Sequence, residues 1–274
     1  MTTVTLLKYE ALGNDFLIAL DAAPFAAGAG GEALASFARR ICDRHRGVGA
    51  DGLIVARSPR SGGDVAMELM NADGGRAETS GNGLRCFALA LVDAGALAGP
   101  EVAVETDGGA VRAEVGARSA RGCAPVSVEM GPAKVGPPEK VEGLDARSVV
   151  IGNPHLVLLA PSLEGVRIGE IGPRLEREVP GGRNVEAVAP DGSGGLDLVV
   201  WERGAGLTES CGSGSCAAAA AARAAGLVGG RVPVHNPGGT LVVDLSGALE
   251  APEATLSGPA RRVALVKVEI EGAP

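Results

Sequence analysis

Residues 80–86, SGNGLRC, and residues 211–216, CGSGSC, are two versions of one motif, placed about 130 residues apart in the chain. Each version is followed by a run rich in alanine or leucine, and then by a strand–turn–strand pattern. In that pattern VAVETDGG at residues 102–109 matches VPVHNPGG at residues 232–239. A small-residue turn that opens a helix, present once in each half, predicts a chain built from two similar halves.

Short apolar or alternating segments bounded by glycine dominate both halves, which is the pattern of β-strands. Helices are predicted over residues 31–45, 83–94, 168–177 and 214–225. Residues 83–94 and 214–225 are apolar nearly all round, which is typical of a buried helix. The sequence therefore predicts an α/β (α+β) protein of two pseudo-symmetric domains, each a mostly antiparallel β-sheet wrapped around a central helix.

The two halves are predicted to meet near residue 118, because GARSARG at residues 116–122 is typical of a linker. We expect an N-terminal half over residues 1–118, joined by a C-terminal strand over residues 263–274. The C-terminal half then covers residues 119–262.

Composition narrows the class of protein. The chain has 274 residues, enough for two domains, and 46% hydrophobic residues, enough for two cores. A net charge of −8 without a Lys/Arg block argues against nucleic acid or an anionic membrane surface as a partner. No apolar stretch reaches membrane-spanning length, and the first residues lack the pattern of a signal peptide. Five irregularly spaced cysteines predict a reducing cytoplasm, and the scattered histidines predict no metal site.

The duplicated motif has a chemistry of its own. A helix N-terminus carries unpaired N–H groups and positive partial charge, and glycine lets an anion approach them closely. The same field lowers the pKa of a cysteine placed there, so a thiolate is expected at Cys211. The alternative is that Cys211 only packs at a helix start, but the duplication and the polar neighbours favour function. Cys86 and Cys216 are interpreted as buried packing residues.

Several asparagines lie in turns at the ends of predicted strands, and a Glu–Arg pair ends another strand. Taken singly, each is common turn chemistry. Taken together, they offer directional hydrogen bonds for the polar ends of an amino acid. These residues are Asn14, Asn71, Asn153, Asn184, Glu202 and Arg203.

Eight segments, in order across essentially the whole chain, resemble the diaminopimelate epimerase family of cofactor-independent amino-acid epimerases. They are GNDF at 13–16, DRHRGVGADG at 43–52, NADG at 71–74, GNGLRC at 81–86, GNPH at 152–155, NVE at 184–186, ERGAG at 202–206 and CGSG at 211–214.

The resemblance implies an isomerase that interconverts LL- and meso-diaminopimelate, with the active site between two pseudo-symmetric domains. Two cysteines would act as base and acid on opposite faces of the α-carbon. It implies a small amino-acid substrate, a homodimer and no pyridoxal cofactor. The backbone amides of Gly81, Asn82, Gly212 and Ser213 would hold the reacting carboxylate. Asn14, Asn71, Asn153, Asn184, Glu202 and Arg203 would recognise the far end of the substrate. His155 and Glu202 are the candidates to assist Ser80, and the alternative for both is a hydrogen bond to the substrate or the backbone.

One position departs from the family pattern, because Ser80 stands where the family has a catalytic cysteine. A hydroxyl is a far weaker acid than a thiol, although Ser80 can still deliver a proton or relay one through water. A natural enzyme that works with serine, a one-base relative and a deliberate Cys→Ser substitution all fit the sequence. Alternative functions are therefore a one-base racemase, isomerase or dehydratase of another small amino acid, or a catalytically impaired binding variant.

Overall fold

The computed structural model describes residues 2–25, 31–78, 80–97, 99–120 and 122–270. The chain forms two compact units. The first contains Met1–Val128 and Pro259–Pro274, and the second contains Glu129–Gly258. Each unit therefore has its own core, and the chain returns to the first unit at its end.

The first unit is built mainly from strands. They are β1 (Thr2–Ala11), β2 (Asn14–Ala19), β3 (Gly52–Arg57), β4 (Val65–Asn71), β5 (Arg76–Ala77), β6 (Glu101–Thr106), β7 (Gly109–Val115), the start of β8 (Cys123–Pro132) and the end of β17 (Glu253–Ile270). Helices α1 (Gly31–Cys42) and α2 (Gly81–Asp93) and a short 3₁₀ turn (Ala23–Phe25) complete it. The strands pair in the order β17–β1–β2–β3–β4–β6–β7–β8. The pairs β2–β3 and β4–β6 are parallel.

Helix α2 forms the centre of the first unit. Each of its residues from Gly81 to Leu91 is buried, and it packs on β1, β2 and β7. A helix that is apolar on all sides gains most when strands surround it, because every face then leaves water. Helix α1 instead has one apolar side, with Leu34, Phe37 and Ile41 buried in the core that it shares with β3.

The second unit repeats this plan. Its strands are β9 (Lys134–Val141), β10 (Leu144–Ile151), β11 (Asn153–Leu159), β12 (Asn184–Pro190), β13 (Leu196–Glu202), β14 (Gly206–Thr208), β15 (Arg231–Asn236), β16 (Gly239–Ser246) and the start of β17, with helices α3 (Ile168–Glu176) and α4 (Gly212–Ala224). They pair in the order β9–β10–β11–β12–β13–β15–β16–β17. The parallel pairs are β11–β12 and β13–β15, in the same places as in the first unit.

Matching backbone hydrogen bonds hold the start of each central helix. In the first unit the Gly108 N–H donates to the Glu78 carbonyl at 3.0 Å, and in the second the Gly238 N–H donates to the Glu209 carbonyl at 2.8 Å. Each bond ties a hairpin turn to the residue two places before the helix cap. The motif that is duplicated in the sequence thus has matching backbone hydrogen bonds at both helix starts.

The expected fold class is confirmed, whereas the expected boundary near residue 118 is wrong. The units divide between Val128 and Glu129, because residues 126–128 pair with β7 and so belong to the first sheet. The chain returns at Pro259, four residues before the expected strand start at 263. Residue 121 of the expected linker and residues 271–274 of the expected last strand lie outside the described residues.

Among the described residues, none of the helices has the length and apolar character needed to cross a membrane. The same part of the chain has no group of three or more His, Cys, Asp or Glu side chains arranged to hold a metal ion.

Candidate active site

Ser80 caps the N-terminus of α2. Its backbone is extended (φ −151°, ψ 120°), and its hydroxyl oxygen accepts a hydrogen bond from the Gly83 N–H at 3.1 Å. Serine is a favoured N-cap because it satisfies one of the N–H groups that the first helical turn leaves unpaired. The hydroxyl therefore lies at the positive end of a buried helix, as the motif predicts.

A chain of amide hydrogen bonds runs beside this cap. The Asn14 side-chain NH₂ donates to Asp51 Oδ2 at 2.7 Å, and the Asn82 NH₂ donates to Asn14 Oδ1 at 3.2 Å. Arg85 Nη2 then donates to Asn82 Oδ1 at 2.8 Å. An ionised carboxylate only accepts and a guanidinium only donates, so the two ends fix the direction in which both amides face. The first unit thus brings Asn14 and Asn82 together in one defined orientation.

Two cations hold the carboxylates next to Asn14. Lys8 Nζ lies 2.8 Å from Asp15 Oδ2, and Arg44 bridges Asp15 and Asp51 at 2.8 and 2.7 Å. Burial acts to raise the pKa of Asp15, but the hydrogen bonds from Arg44 and Lys8 outweigh it and leave that pKa below its usual range. Asp51, the carboxylate that orients the Asn14 amide, is therefore held in place by Arg44.

Cys211 is the equivalent cap of α4 in the second unit. Its backbone is also extended (φ −122°, ψ 117°), and its sulfur accepts from the Gly214 N–H at 3.4 Å. The Ser213 hydroxyl lies 3.7 Å from the sulfur, and the Ser215 hydroxyl donates to the Cys211 carbonyl at 2.8 Å. The thiol is only 4% exposed. Asn236 Oδ1 accepts from the Cys211 N–H at 3.5 Å.

Two features of this structure oppose the thiolate that the motif predicts at Cys211. Burial raises the pKa of the Cys211 thiol well above its ordinary value, and the carboxylates of Glu202 and Glu186 raise it further. Hydrogen bonds from the Gly214 N–H and the Ser213 side chain act in the opposite direction but do not compensate. The helix field was the only influence visible in the motif, and the acidic side chains that oppose it come from distant strands. Burial and the two carboxylates therefore favour the protonated form of Cys211 in this structure.

A fully buried ion-pair partner, Glu186, lies next to this cap. Its Oε1 accepts from or shares a proton with His155 Nδ1 at 2.7 Å, and His155 Nε2 lies 3.0 Å from Asn153 Oδ1. Glu186 is 0% exposed and His155 is 1% exposed. His155 is therefore fixed through both ring nitrogens, and it connects Glu186 to Asn153.

The remaining predicted residues lie at strand ends. Asn184 Oδ1 accepts from the Arg203 N–H at 2.8 Å, and the Arg203 guanidinium donates to the Gly181 carbonyl at 3.0 Å. The Thr208 hydroxyl donates to Glu202 Oε1. Asn71 is an exposed residue at the end of β4. The second unit brings Asn184 and Arg203 together, and their predicted roles in binding substrate stay predictions.

Four residues near the caps were not predicted as site residues: Asp51, Arg85, Glu186 and Asn236. Asp51, Arg85 and Glu186 lie inside the segments quoted for the resemblance, and a charged residue within an apolar strand was the available signal for Glu186. Arg85 is 0% exposed although it lies within an apolar helix run. Only the fold shows that these side chains lie against the helix starts.

Two solved structures show the same fold. One is a phenazine biosynthesis protein of the PhzF family from Bacillus anthracis, with a TM-score of 0.76, 17% identity, and coverage of 98% of this chain and 100% of that one. Another is a probable proline racemase from Agrobacterium radiobacter K84 with bound carbonate, with a TM-score of 0.72, 21% identity, and coverage of 98% and 93%. This chain therefore has the two-unit fold of that group of proteins.

Sequence comparison identifies the family. The family model for diaminopimelate epimerase matches residues 6–136 and 147–263. A diaminopimelate epimerase of Sphingopyxis alaskensis is 38% identical over 86% of this chain and 87% of its own length. One of Caldanaerobacter subterraneus is 34% identical over 96% and 98%. The chain belongs to the diaminopimelate epimerase family.

Proposed function

We propose that this protein is an isomerase that interconverts LL- and meso-diaminopimelate, a step of lysine and cell-wall synthesis. Family membership over nearly the whole chain supports the substrate. The observation that carries the mechanism is the pair of equivalent helix caps. Ser80 and Cys211 have the same backbone conformation, and each side chain accepts the N–H of the third residue along.

Each helix start suits an anionic substrate. The backbone N–H groups of Gly81 and Asn82, and those of Gly212 and Ser213, lie in the first turns of α2 and α4, at the positive ends of these helices. Such groups stabilise a carboxylate and the negative charge that builds on it when the α-proton leaves. We propose that these four amides bind the reacting carboxylate.

We propose proton steps in which each cap changes its protonation state once. The Cys211 thiol gives its proton to the α-carbon from one face and becomes a thiolate, while on the other face the Ser80 alkoxide takes the departing α-proton and becomes a hydroxyl. In the reverse direction the Cys211 thiolate receives the α-proton and the Ser80 hydroxyl gives its proton to the α-carbon. The oriented amides of Asn14, Asn153 and Asn184, with Asn71, Glu202 and Arg203, are proposed to bind the far end of the substrate.

The direct test is an epimerase assay with pure LL-diaminopimelate, without added pyridoxal phosphate, in which meso product is followed by chiral chromatography. We expect turnover that is lost in Cys211→Ala. Turnover of other amino acids, with none of diaminopimelate, would contradict the proposal.

Ser80 supports one alternative, a one-base enzyme that uses Cys211 alone. Such an enzyme exchanges the α-proton with solvent from one face and does not invert the centre. A binding variant, the other alternative, binds the amino acid without any exchange, and Cys211→Ala leaves its affinity intact.

We further propose that the protein is a cytoplasmic homodimer. The five cysteines are free thiols in the structure, which suits a reducing compartment. Light scattering coupled to size-exclusion chromatography tests the dimer, and a mass of one chain would contradict it.

A further inference from the structure

One carboxylate, that of Glu176, contacts the chain on both sides of Arg203. Glu176 is the last residue of α3. Its Oε2 accepts from the Trp201 indole N–H at 2.7 Å, and its Oε1 accepts from the Gly204 backbone N–H at 3.1 Å. Trp201 lies two residues before Arg203, and Gly204 follows it directly. Both oxygens of Glu176 are therefore used to hold the segment that carries Arg203.

Arg203 lies in the tight turn between β13 and β14. Only residues 203–205 connect the paired residues of the two strands. The Arg203 N–H donates to Asn184 Oδ1 at 2.8 Å, and the next N–H, that of Gly204, donates to Glu176. Two consecutive N–H groups are thus bound to side chains from other elements. The backbone from which the Arg203 side chain projects is therefore held in one orientation.

The Arg203 side chain lies along a second loop, which follows α3. Its Nη1 donates to the Gly181 carbonyl at 3.0 Å. Gly182 has a φ of +75°, and a Cβ atom added there would lie 2.9 Å from Arg203 Cδ. Glycine is required here both for the backbone conformation and for the close approach of the arginine stem. The Arg183 N–H donates to the Glu176 carbonyl at 3.2 Å, which closes this loop onto the end of α3.

The guanidinium of Arg203 has donors that the fold does not use. Among the described residues it forms one hydrogen bond, to a backbone carbonyl, and no ion pair. The nearby Arg174 and Arg183 differ, because both pair with Glu178. Arg203 is exposed, and a guanidinium can bind a carboxylate through two parallel N–H groups. Fixed at one nitrogen and open at the others, Arg203 suits a carboxylate of a bound ligand.

The stability of α3 does not explain why Glu176 is acidic. The C-terminal end of a helix carries negative partial charge, so a carboxylate on its last residue is disfavoured. Glu176 is half-buried, and its two donors, the indole and a backbone amide, are both neutral. A carboxylate has two acceptor oxygens, which is what two donors on either side of one residue require. The Arg203 turn therefore accounts for Glu176 better than the helix does.

We propose that Glu176 is a positioning residue that holds Arg203, through Trp201 and Gly204, in the orientation that binds the second carboxylate of the substrate. This inference rests on the proposed function, because diaminopimelate has a carboxylate at each end and Arg203 is proposed to bind the far end. Glu176 acts through Arg203, so it contributes to substrate affinity and not to the proton steps.

Kinetic constants separate binding from chemistry. Glu176→Gln keeps the shape of the side chain, but one oxygen becomes an NH₂ group that cannot accept from Trp201 or Gly204. KM for diaminopimelate should rise about tenfold, with kcat changed by less than about twofold. Glu170→Gln is the matched control, since Glu170 is an exposed residue of the same helix that pairs with Arg167. An unchanged KM in Glu176→Gln, or an equal rise in Glu170→Gln, overturns the proposal.

A double-mutant cycle shows whether Glu176 acts through Arg203. Arg203→Ala alone should raise KM for diaminopimelate about 10²-fold, because a charged hydrogen-bond donor is lost. Adding Glu176→Gln to Arg203→Ala should raise KM no further, because the group that Glu176 positions is then absent. If the two effects instead multiply, Glu176 acts independently of Arg203 and the proposal is wrong.

Amide hydrogen exchange measures the positioning without substrate. The Arg203 and Gly204 N–H groups are the donors in the bonds to Asn184 and Glu176. Their exchange, followed by ¹⁵N NMR, should be about tenfold faster in Glu176→Gln, because the turn opens more often. Exchange in Glu170→Gln should equal that of the unmodified protein. Unchanged exchange at both groups in Glu176→Gln overturns the proposal.

The exchange measurement also separates this inference from the proposed function. Absence of turnover in the unmodified protein would refute the epimerase activity, whereas exchange would still decide whether Glu176 holds the Arg203 turn. If Glu176→Gln does not fold, Trp201→Phe takes its place, because it removes the indole N–H and leaves the bond from Gly204. Its exchange should be faster by a smaller factor of about three, and unchanged exchange in that variant overturns the proposal.

Discussion

Replacing Ser80 by cysteine gives the α2 cap the same side chain as the α4 cap, and the structure indicates that the sulfur fits. The backbone angles of Ser80 and Cys211 are similar, and the Cys211 sulfur already accepts from the Gly214 N–H at 3.4 Å. Loss of a serine N-cap usually costs about 0.5–2 kcal/mol of folding free energy. Since sulfur retains a weak form of this bond, we expect Ser80→Cys to cost about 1 kcal/mol or less.

The effect on rate should be much larger. A well-placed general acid or base contributes about 10²–10⁴-fold to rate, and a thiol has a pKa near 8.5, much closer to neutrality than that of an aliphatic hydroxyl. Because Ser80 can still relay a proton through water, part of this factor is already present. We therefore expect kcat for epimerisation to rise about 10²-fold in Ser80→Cys.

The assay compares initial rates from LL- and meso-diaminopimelate for the two proteins, with urea unfolding to show that both are folded. Ser80→Ala serves as the control, since it removes the hydroxyl without adding a thiol. If Ser80→Cys is no faster than the unmodified protein, then the Ser80 hydroxyl is already as effective as a thiol or takes no part in proton transfer. Either result would refute the claim that a thiol at this cap raises the rate.

Three further predictions concern residues that support the site or its fold. The Glu105 carboxylate accepts hydrogen bonds from three backbone N–H groups in the loop before β4, and these bonds lower the pKa of Glu105. The carboxylate therefore stabilises the fold at neutral pH, and this contribution is lost as the pH falls below about 4.5. Urea unfolding at several pH values should show Glu105→Gln less stable than the unmodified protein at pH 7 and close to it at pH 3. A Cβ atom added to Gly214 would lie 2.8 Å from the buried Glu186 Oε1. Gly214→Ala should therefore lower the free energy of unfolding by about 1–3 kcal/mol more than the matched Gly83→Ala does, as measured by thermal unfolding. Equal losses in the two variants would contradict the packing argument. Asp51 orients the Asn14 amide, so Asp51→Ala should raise KM for diaminopimelate about tenfold with a smaller change in kcat; an unchanged KM would remove Asn14 from the binding site.

The sequence predicts the central features of the fold because they depend on local patterns. The apolar runs after the two small-residue turns predict the buried helices, which begin two residues earlier than expected, at Gly81 and Gly212. The cap residues explain the difference, because Ser80 and Cys211 satisfy the first N–H groups and let the helix start at the next residue. Each helix also ends within about a residue of the predicted stop.

Strands with proline were harder to predict. Residues 134–141, KVGPPEKV, form β9 although they lack alternating apolar residues, because their partner β10 supplies the pairing. The last strand was expected from residue 263 but begins at Glu253, since it continues through Gly258 and Pro259 and serves both units. Such a strand is defined by its partners in two sheets, which no local pattern shows.

In the candidate site, too, the features that are local in sequence were predicted and those that depend on distant residues were not. The caps at Ser80 and Cys211 follow from motifs that are local in sequence, whereas the hydrogen bond between Asn82 and Asn14 joins two separate motifs and was not predicted. The charge state of Cys211 does not, because Glu186 and Glu202 reach it from separate strands. Long-range burial and charge therefore decide the chemistry that the motif alone leaves open.

The most direct test of the mechanism is deuterium incorporation at the α-carbon in D₂O, starting from each pure diaminopimelate isomer. Cys211→Ala provides the control. We predict that deuterium enters the product as the centre inverts, from either isomer, and that the control abolishes it. Absence of exchange from both isomers, or exchange that persists in Cys211→Ala, would contradict a role for Cys211 in proton transfer.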